Sequence, residues 1–200
     1  MSFLSAVSGI DRDIGGFVQQ HALALAILIA TVTRTEAMLQ RTGALRVVPY
    51  VDYQRYAGTW YEIARLPNRF QRMCAADVTA TYTVRDDGRI QVTNRCRESN
   101  GGVREAAGIA RRVDGQPPSI LQVRFAPAFL SFLPQVWGDY HILDLGADYD
   151  YAVVGAPSRS YLWILARHPE VDADVYRRLT DRARDQGFDS AALIKTRHTK

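Results

Sequence analysis

Apolar and polar residues alternate along the middle of the chain with the period of two that indicates β-strands. Over 78–84 the apolar residues alternate with threonines, and the alternation resumes over 90–94. The turn-forming sequence Asp86-Asp87-Gly88 lies between the two runs. Together the three segments predict a β-hairpin.

Further short apolar runs, separated by Gly, Pro, Asp and Ser, predict strands at 58–66, 102–111, 120–125, 137–145, 151–155 and 161–167. The hairpin brings the total to eight. Their connections are too short for the crossovers that parallel strands need, so the pattern indicates an antiparallel sandwich or barrel. Closure is favoured because it removes unpaired edges and leaves an interior for one small ligand. We therefore predict an all-β, eight-stranded antiparallel up-and-down β-barrel (calyx).

One helix is predicted after the last strand. Asp172 can cap it and Gly187 can end it. Val175, Leu179 and Ala183 form a narrow apolar stripe opposite an arginine-rich face. We expect this C-terminal α-helix to pack on the outside of the barrel.

Residues 1–45 differ in composition from 46–200, and we expect a leader followed by one domain. The apolar run 22–32 has eleven residues, about half of what a membrane-spanning helix needs. Its length suits an export signal, but Arg12 stands between Asp11 and Asp13, where such signals carry net positive charge. Three interpretations stay open: an atypical export signal, a loosely packed helix, or a start assigned too early, with Met38 as the true start.

The composition narrows the class of protein. The 200 residues are 47% apolar and 23% charged, which is typical of a soluble globular chain with a core. The net charge of +4 is not concentrated in a block of like charges, so we expect no nucleic-acid partner. The four histidines are isolated and no nucleotide- or metal-binding motif occurs, so no metal and no cofactor are expected.

Three motifs resemble those of the lipocalin family. The sequence Gly58-Thr59-Trp60-Tyr61 resembles its G-x-W-Y opening, Asp139-Tyr140 followed by Tyr149-Asp150-Tyr151 resembles its second region, and 161–167, ending at Arg167, resembles its third. The resemblance covers about 48–200 and is closest to the bacterial outer-membrane, apolipoprotein D and plant temperature-induced branches. It implies a lipid-binding barrel in which these motif residues are structural.

Alternation of the strands places Trp60 and Arg167 at the same end of the barrel. A guanidinium over an indole face stabilises a protein by about 0.5–2 kcal/mol. Neither group is a nucleophile or titrates near neutral pH, so we interpret the pair as the plug of the closed end and not as a catalytic site.

One face of each strand lines the interior of a barrel, although a slip of one residue inverts that face. The predicted ligand-binding cavity residues are Val78, Ala80, Tyr82, Ile90, Val92, Leu121, Val123, Phe125, Tyr140, Ile142, Tyr151 and Val153. Ordinary core packing is the alternative interpretation of each of them. Glu62 shares the face of Trp60; either Arg124 or Tyr140 partners it inside the barrel, or a bulge turns it to solvent.

The loops at the opposite, open end are unusually apolar. The rim residues are Phe70, Met73, Phe129, Leu130, Phe132 and Leu133. Such a rim is either a lid that folds over the barrel or a surface for ligand, a membrane or a second subunit. Prolines at both ends of 127–134 restrict collapse, which favours the surface, and the resemblance implies membrane contact or homodimerisation.

Cys74 and Cys96 both fall at the open rim. Their offset from the centre of the hairpin requires a bulge if they are to pair. A disulfide is favoured and implies an oxidising compartment, whereas two free thiols would favour a cytoplasmic protein that starts near Met38.

These observations lead to one functional expectation. We expect a lipocalin that stores or carries a fatty acid, lysophospholipid or similar lipid for membrane maintenance, in the periplasm or at the periplasmic face of the outer membrane. No cysteine for lipid attachment follows the apolar run. The alternatives are a lipid or isoprenoid enzyme that uses an interior carboxylate such as Glu62, and a protein-binding module.

Overall fold

Eight antiparallel strands close into a barrel in the computed structural model, which describes residues 43–199. The strands are β1 (Gly58–Arg65), β2 (Cys74–Val84), β3 (Ile90–Glu98), β4 (Val103–Arg112), β5 (Ile120–Arg124), β6 (Gly138–Leu145), β7 (Tyr151–Gly155) and β8 (Leu162–Ala166). Each pairs with the next, and β1 pairs with both β8 and β2. The predicted fold class is confirmed. Residues 1–42 of the predicted leader (1–45), which include the apolar run 22–32, lie outside the described residues.

Two elements were not predicted. A short helix α1 (Tyr53–Tyr56) precedes the barrel, with the Asp52 carboxylate accepting from the main-chain N–H groups of Gln54 and Arg55. A two-residue strand β9 (Ile194–Lys195) follows the long helix α2 (Ala173–Arg184). Short 3-10 turns at Arg69–Gln71, Ala128–Leu130, Pro134–Val136 and Ser190–Ala192 complete the described elements.

The C-terminal tail fills a gap between the first two strands. β1 pairs with β2 only from Gly58 to Tyr61, and Ala64 and Arg65 pair instead with β9. On the other side of the tail, the main-chain N–H of Asp77 donates to the carbonyl of Arg197. The Asp77 carboxylate accepts from Arg97 and from Thr199, and these hydrogen bonds lower the pKa of that carboxyl. The tail thus completes the wall at the open half of the barrel.

The buried residues form two clusters, one on each side of the sheet. The interior cluster surrounds Trp60 and includes Tyr56, Tyr82, Ala152 and Val154. The outer cluster contains Leu179 and Ala183 of α2, which pack against outward-facing residues of β1, β7 and β8. Helix α2 therefore lies outside the barrel, as predicted.

The beginning of α2 differs from the expected cap. Asp172 occupies the N-cap position, but its side chain makes no capping hydrogen bond. The end of the helix does follow the sequence signal, because Gly187 has a positive φ of 84°. A left-handed residue just after a helix favours glycine, which lacks the Cβ that would be strained there.

Arg167 closes one end of the barrel. Its guanidinium carbon lies 3.9 Å from the centroid of the Trp60 ring. Its N–H groups donate to five main-chain carbonyls, those of Arg55, Tyr56, Ala57, Thr59 and Tyr149. The indole N–H of Trp60 donates to the same carbonyl of Tyr56, at 2.8 Å. One side chain therefore holds together α1, the start of β1 and the loop before β7.

We predict that Arg167→Lys lowers the free energy of unfolding by about 2–4 kcal/mol, because an ammonium cannot bond all these carbonyls while lying over the indole. Chemical denaturation measures this change. Arg178→Lys, on the exposed face of α2, is the matched control and should cost less than about 0.5 kcal/mol. Equal stability of the two variants would contradict the assignment of Arg167 as the plug.

Candidate functional site

Three tyrosine hydroxyls form a chain across the interior above the plug. The hydroxyl of Tyr140 lies 2.8 Å from that of Tyr56 and 2.8 Å from that of Tyr82. Burial raises the pKa of Tyr82 to about 12 and raises the pKa values of Tyr56 and Tyr140 well above the usual value. The three groups therefore stay protonated at physiological pH. Because a chain of two hydrogen bonds uses two of three hydroxyl protons, one proton is left for a further acceptor.

The space beside these hydroxyls is narrow. Its lining consists of Tyr56, Tyr82, Ile90, Val92, Ala110, Leu121, Val123 and Tyr140. The cavity measures about 10 Å³, which is room for about one water molecule. A larger ligand can enter this half of the barrel only if side chains move.

Most of the predicted cavity residues face the interior. Those in or against the interior cluster are Ala80, Tyr82, Ile90, Val92, Leu121, Val123, Tyr140 and Ile142. Val78 is buried but belongs to neither cluster, and Phe125 lies just beyond β5 with 43% of its surface exposed. The contact of each of these residues with a ligand stays a prediction.

Tyr151 and Val153 correct the predicted orientation of β7. Both pack in the outer cluster, beneath α2, whereas Ala152 and Val154 face the interior. The expectation that Tyr151 and Val153 line the cavity is therefore wrong. Because β7 is covered on both faces, its sequence shows no apolar alternation from which the inward face could be chosen.

An ion pair lines the interior nearer the open end. Glu62 pairs in register with Leu165 and Arg65 with Trp163, and these two partners belong to the interior side of β8. A β-bulge between Glu62 and Ala64 brings both charged residues to the same face, although they are three positions apart. Arg65 Nη1 lies 2.7 Å from Glu62 Oε1.

The remaining partners of Glu62 come from the rim and the tail. Gln71 Nε2 donates to Glu62 Oε2 at 2.6 Å, and the Thr196 hydroxyl donates to Glu62 Oε1. Arg65, Gln71 and Thr196 are the partners of Glu62, so the predicted partners Arg124 and Tyr140 are wrong. Glu62 is only 2% exposed, so the predicted turn to solvent is wrong as well. Both carboxylate oxygens accept hydrogen bonds from side chains of the protein.

Aromatic rings lead from the rim to this ion pair. Phe70 and Tyr161 have ring centroids 5.9 Å apart, and Tyr161 stacks on Trp163 at 6.0 Å. The indole N–H of Trp163 donates to Gln71 Oε1, the same side chain that bonds Glu62. The mouth of the barrel therefore combines apolar ring faces with a fixed polar network.

A disulfide joins Cys74 and Cys96 at this end, with their Cα atoms 5.5 Å apart. The pairing of β2 with β3 shifts register between Cys74 and Ala76, and again between Ala76 and Thr79. These irregularities supply the bulge that the sequence offset requires. The predicted disulfide is thus present.

The rim loops expose large apolar side chains. Phe129 and Phe132 are 74% and 76% exposed, and Phe70 and Met73 are 61% and 41% exposed. Leu130 and Leu133 are half-buried between them. The indole N–H of Trp137 donates to the carbonyl of Ser131 at 2.9 Å, which fixes the end of the loop.

Sequence reasoning did not identify Arg65, Gln71, Thr196 or Tyr56 as site residues. An opposite charge three positions after Glu62 was the one available signal for Arg65, and its meaning depends on the bulge. Thr196 arrives from the far end of the chain, so no local pattern points to it. Asp52 before Tyr53 was an N-cap signal for the helix that carries Tyr56.

Residues 43–199 contain neither a cluster of metal ligands nor a membrane-spanning helix. No three His, Cys, Asp or Glu side chains come together as ligands of a metal ion there. Among the helices of that part of the chain, none has the length and apolarity to cross a membrane.

A barrel plugged at one end, open at the other and apolar within defines a calyx-type binding protein. A family model described as "Lipocalin-like domain" matches residues 51–198. The chain belongs to the lipocalin family, as its motifs suggested. Family membership is consistent with binding of a small hydrophobic ligand and with a protein that is not an enzyme.

Named relatives fall in the expected branches. The chain is 42% identical to temperature-induced lipocalin-1 of Arabidopsis thaliana over 76% of its own length and 82% of the relative. It is 38% identical to outer membrane lipoprotein Blc of Vibrio cholerae, over 74% and 84% of the two chains. It is 28% identical to mouse apolipoprotein D, over 86% and 90%.

We predict that Glu62→Gln lowers the free energy of unfolding by about 3–5 kcal/mol, because it leaves Arg65 buried without its counter-charge. Thermal and chemical denaturation measure the change. The exposed pair Arg177–Asp174 is the matched control, and Asp174→Asn should cost at most about 0.5 kcal/mol.

The double variant Glu62→Leu with Arg65→Met tests the reason for this loss. Since it removes both charges, it should recover most of the stability. If the double variant is as unstable as Glu62→Gln, the loss does not come from an uncompensated charge on Arg65. Glu62 would then be needed for the geometry of the β-bulge.

Proposed function

We propose that this protein carries a single-chain lipid, a fatty acid or a lysophospholipid, with its polar head at the mouth and its tail toward the tyrosine hydroxyls. The observation that carries this proposal is the polarity along the barrel axis. The Glu62–Arg65 ion pair lies toward the open end, whereas the deeper interior, as residues 43–199 form it, has no charged pair and is lined by apolar side chains and by the three tyrosines, whose hydroxyls bond one another. An amphiphile matches that gradient better than a pure hydrocarbon or a uniformly polar molecule.

The small cavity beside the tyrosine hydroxyls favours a lipid with one acyl chain over a lipid with two. Binding sites for small molecules usually measure 300–1,000 Å³, far above the roughly 10 Å³ beside the hydroxyls. Entry of a chain therefore requires Tyr82 and Tyr140 to move, and the hydrogen bonds they lose are part of the cost of binding. A thin ligand minimises that cost.

The exposed rim supports transfer at a membrane surface. Phe129 and Phe132 present a pair of rings beside the mouth, where a lipid leaving a bilayer would enter. One relative is named an outer membrane lipoprotein, and the Cys74–Cys96 disulfide suits an oxidising compartment. We place the protein at the cell envelope and assign the rim to membrane contact, with homodimerisation through the same loop as the competing use.

We predict saturable binding of one fatty acid or lysophospholipid per chain, observed as a change in tryptophan fluorescence through Trp163 at the mouth. Ala110→Leu should weaken binding about tenfold or more, because Ala110 lines the cavity and has no space to spare. Ala107→Leu, on the outward face of the same strand, is the matched control and should bind normally. If neither lipid gives a saturable change with the folded protein, the carrier proposal is wrong.

We predict that Phe129→Ser with Phe132→Ser reduces binding to phosphatidylcholine vesicles about tenfold or more, because each inserted ring removes apolar surface from water. Flotation of protein with vesicles measures it. Tyr50→Ser is the control, since Tyr50 is 69% exposed and lies beside α1 at the closed end. If vesicle binding and dimerisation are both unchanged, the loop is a lid.

A further inference from the structure

A second concave surface lies on the outer wall of the barrel, beside the rim loop. Arg111 of β4 and Gln122 of β5 are adjacent in register and alternate with the interior residues Ala110 and Leu121, so they face outward. The rim loop descends over them. The resulting groove measures about 270 Å³ and is lined by Arg111, Gln122, Ser131, Phe132, Pro134 and Trp137. No residue of this groove belongs to the calyx interior.

Arg111 brings a positive charge to the groove, and Arg124 lies near the same indole ring without lining the groove. The guanidinium carbon of Arg111 lies 3.8 Å from the centroid of the Trp137 ring, and that of Arg124 lies 5.3 Å from it. Neither arginine forms an ion pair with a carboxylate of residues 43–199. Asp139, opposite Gln122 in register, is exposed and pairs with neither of them.

Some N–H groups of the two arginines form no hydrogen bond within residues 43–199. Arg111 donates from Nε and Nη2 to Gln122 Oε1, at 3.3 and 2.9 Å, and its Nη1 group makes no hydrogen bond within the described part of the chain. Arg124 is only 7% exposed and does not line the groove; its Nη1 donates to the carbonyl of Ala126 at 2.6 Å, and its Nε has no acceptor in residues 43–199. Arg111 is exposed, and its unbonded Nη1 group is therefore the donor that an anion in the groove would meet.

The apolar residues of the groove indicate which kind of molecule bears the anionic group. Phe132 lines the groove with 76% of its surface exposed, and Phe129 on the same loop is 74% exposed. Trp137, which holds Arg111 against its ring, is half-buried between the charged and the apolar parts. Such a row of cation, indole and exposed phenyl rings is typical of a protein surface at the headgroup level of a bilayer.

We infer that this groove binds the phosphate of an anionic phospholipid whose acyl chains stay in the membrane. The inference rests on the proposed membrane contact of the rim and adds a headgroup preference to it. The bound phosphate accepts hydrogen bonds from Arg111, while Phe129 and Phe132 insert beside it. The lipid held here is part of the surface on which the protein docks and is distinct from the lipid carried in the barrel.

Vesicle flotation tests the preference. The wild-type protein should bind vesicles of phosphatidylcholine mixed with phosphatidylglycerol more tightly than pure phosphatidylcholine vesicles. Arg111→Gln should lose about fivefold on the mixed vesicles and nothing on the neutral ones, from the ~1 kcal/mol per cation near an anionic surface. Arg178→Gln, which removes an exposed charge from α2, should lose nothing on either. If Arg178→Gln loses as much as Arg111→Gln, the attraction is diffuse and the inference is wrong.

A soluble lipid separates the groove from membrane insertion. Short-chain phosphatidylglycerol below its micelle concentration should shift the indole N–H signal of Trp137 in an NMR spectrum, and Arg111→Gln should abolish the shift. The variant Trp137→Phe assigns that signal among the three tryptophans. An unmoved Trp137 signal overturns the inference, and so does an equal shift with inorganic phosphate, which would identify a free-anion site.

The two proposals can fail separately. If Phe129→Ser with Phe132→Ser abolishes vesicle binding while Arg111→Gln keeps the full anionic preference, the rim docks on membranes and the headgroup site is wrong. If the double serine variant binds vesicles normally while the short-chain lipid still shifts Trp137 in an Arg111-dependent way, the headgroup site stands and the proposed anchoring is wrong.

Discussion

The contact between Arg167 and Trp60 is the constraint on which the rest of the structure depends. One guanidinium lies over one indole and bonds five carbonyls, four from residues 55–59 and one from Tyr149. Because Arg167 follows β8, these bonds tie the end of β8 to the start of β1. The approach explains Gly58, because a Cβ there would lie 3.3 Å from Arg167 Nη1 and its φ is +94°. Since this end is closed by main-chain acceptors and rings, the proposed function assigns ligand entry to the opposite end.

The open end is built from departures from regular strand geometry. A bulge in β1 puts Glu62 and Arg65 on one face, two register shifts in β2 bring Cys74 to Cys96, and the tail fills the gap where β2 leaves β1. The positive φ of 54° at Asp77 falls in the same region. The charged pair in the mouth needs this irregularity, because in a regular strand residues three positions apart point to opposite faces. The charged pair is therefore found where the ladder is interrupted, and the regular part of the barrel holds the apolar side chains and the three tyrosines.

The sequence predicted the parts of this protein that follow from local periodicity and failed where distant segments meet. The hairpin over 78–94 and the stripe of Val175, Leu179 and Ala183 show their period because each has one buried face. The inward face of β7 was assigned wrongly because helix and barrel bury both of its faces. The partners of Glu62 could not be predicted, since one depends on a bulge and another is Thr196, 134 positions away. The order of the three motifs nonetheless identified the family, because a motif can be recognised without knowing which face of a strand points into the barrel.

The position of α2 explains why the barrel has two different outer walls. The helix covers outward residues of β1, β7 and β8 with the apolar stripe, so that side is closed to partners. Among the helices of residues 43–199, none covers the wall of β4 and β5, and the outward positions of this wall bear arginines against the indole of Trp137. The loop that contributes this indole also carries Phe129 and Phe132 at the mouth. Loop and wall therefore form one surface continuous with the entrance, so the membrane contact and the lipid entry that we propose would use adjacent parts of the molecule.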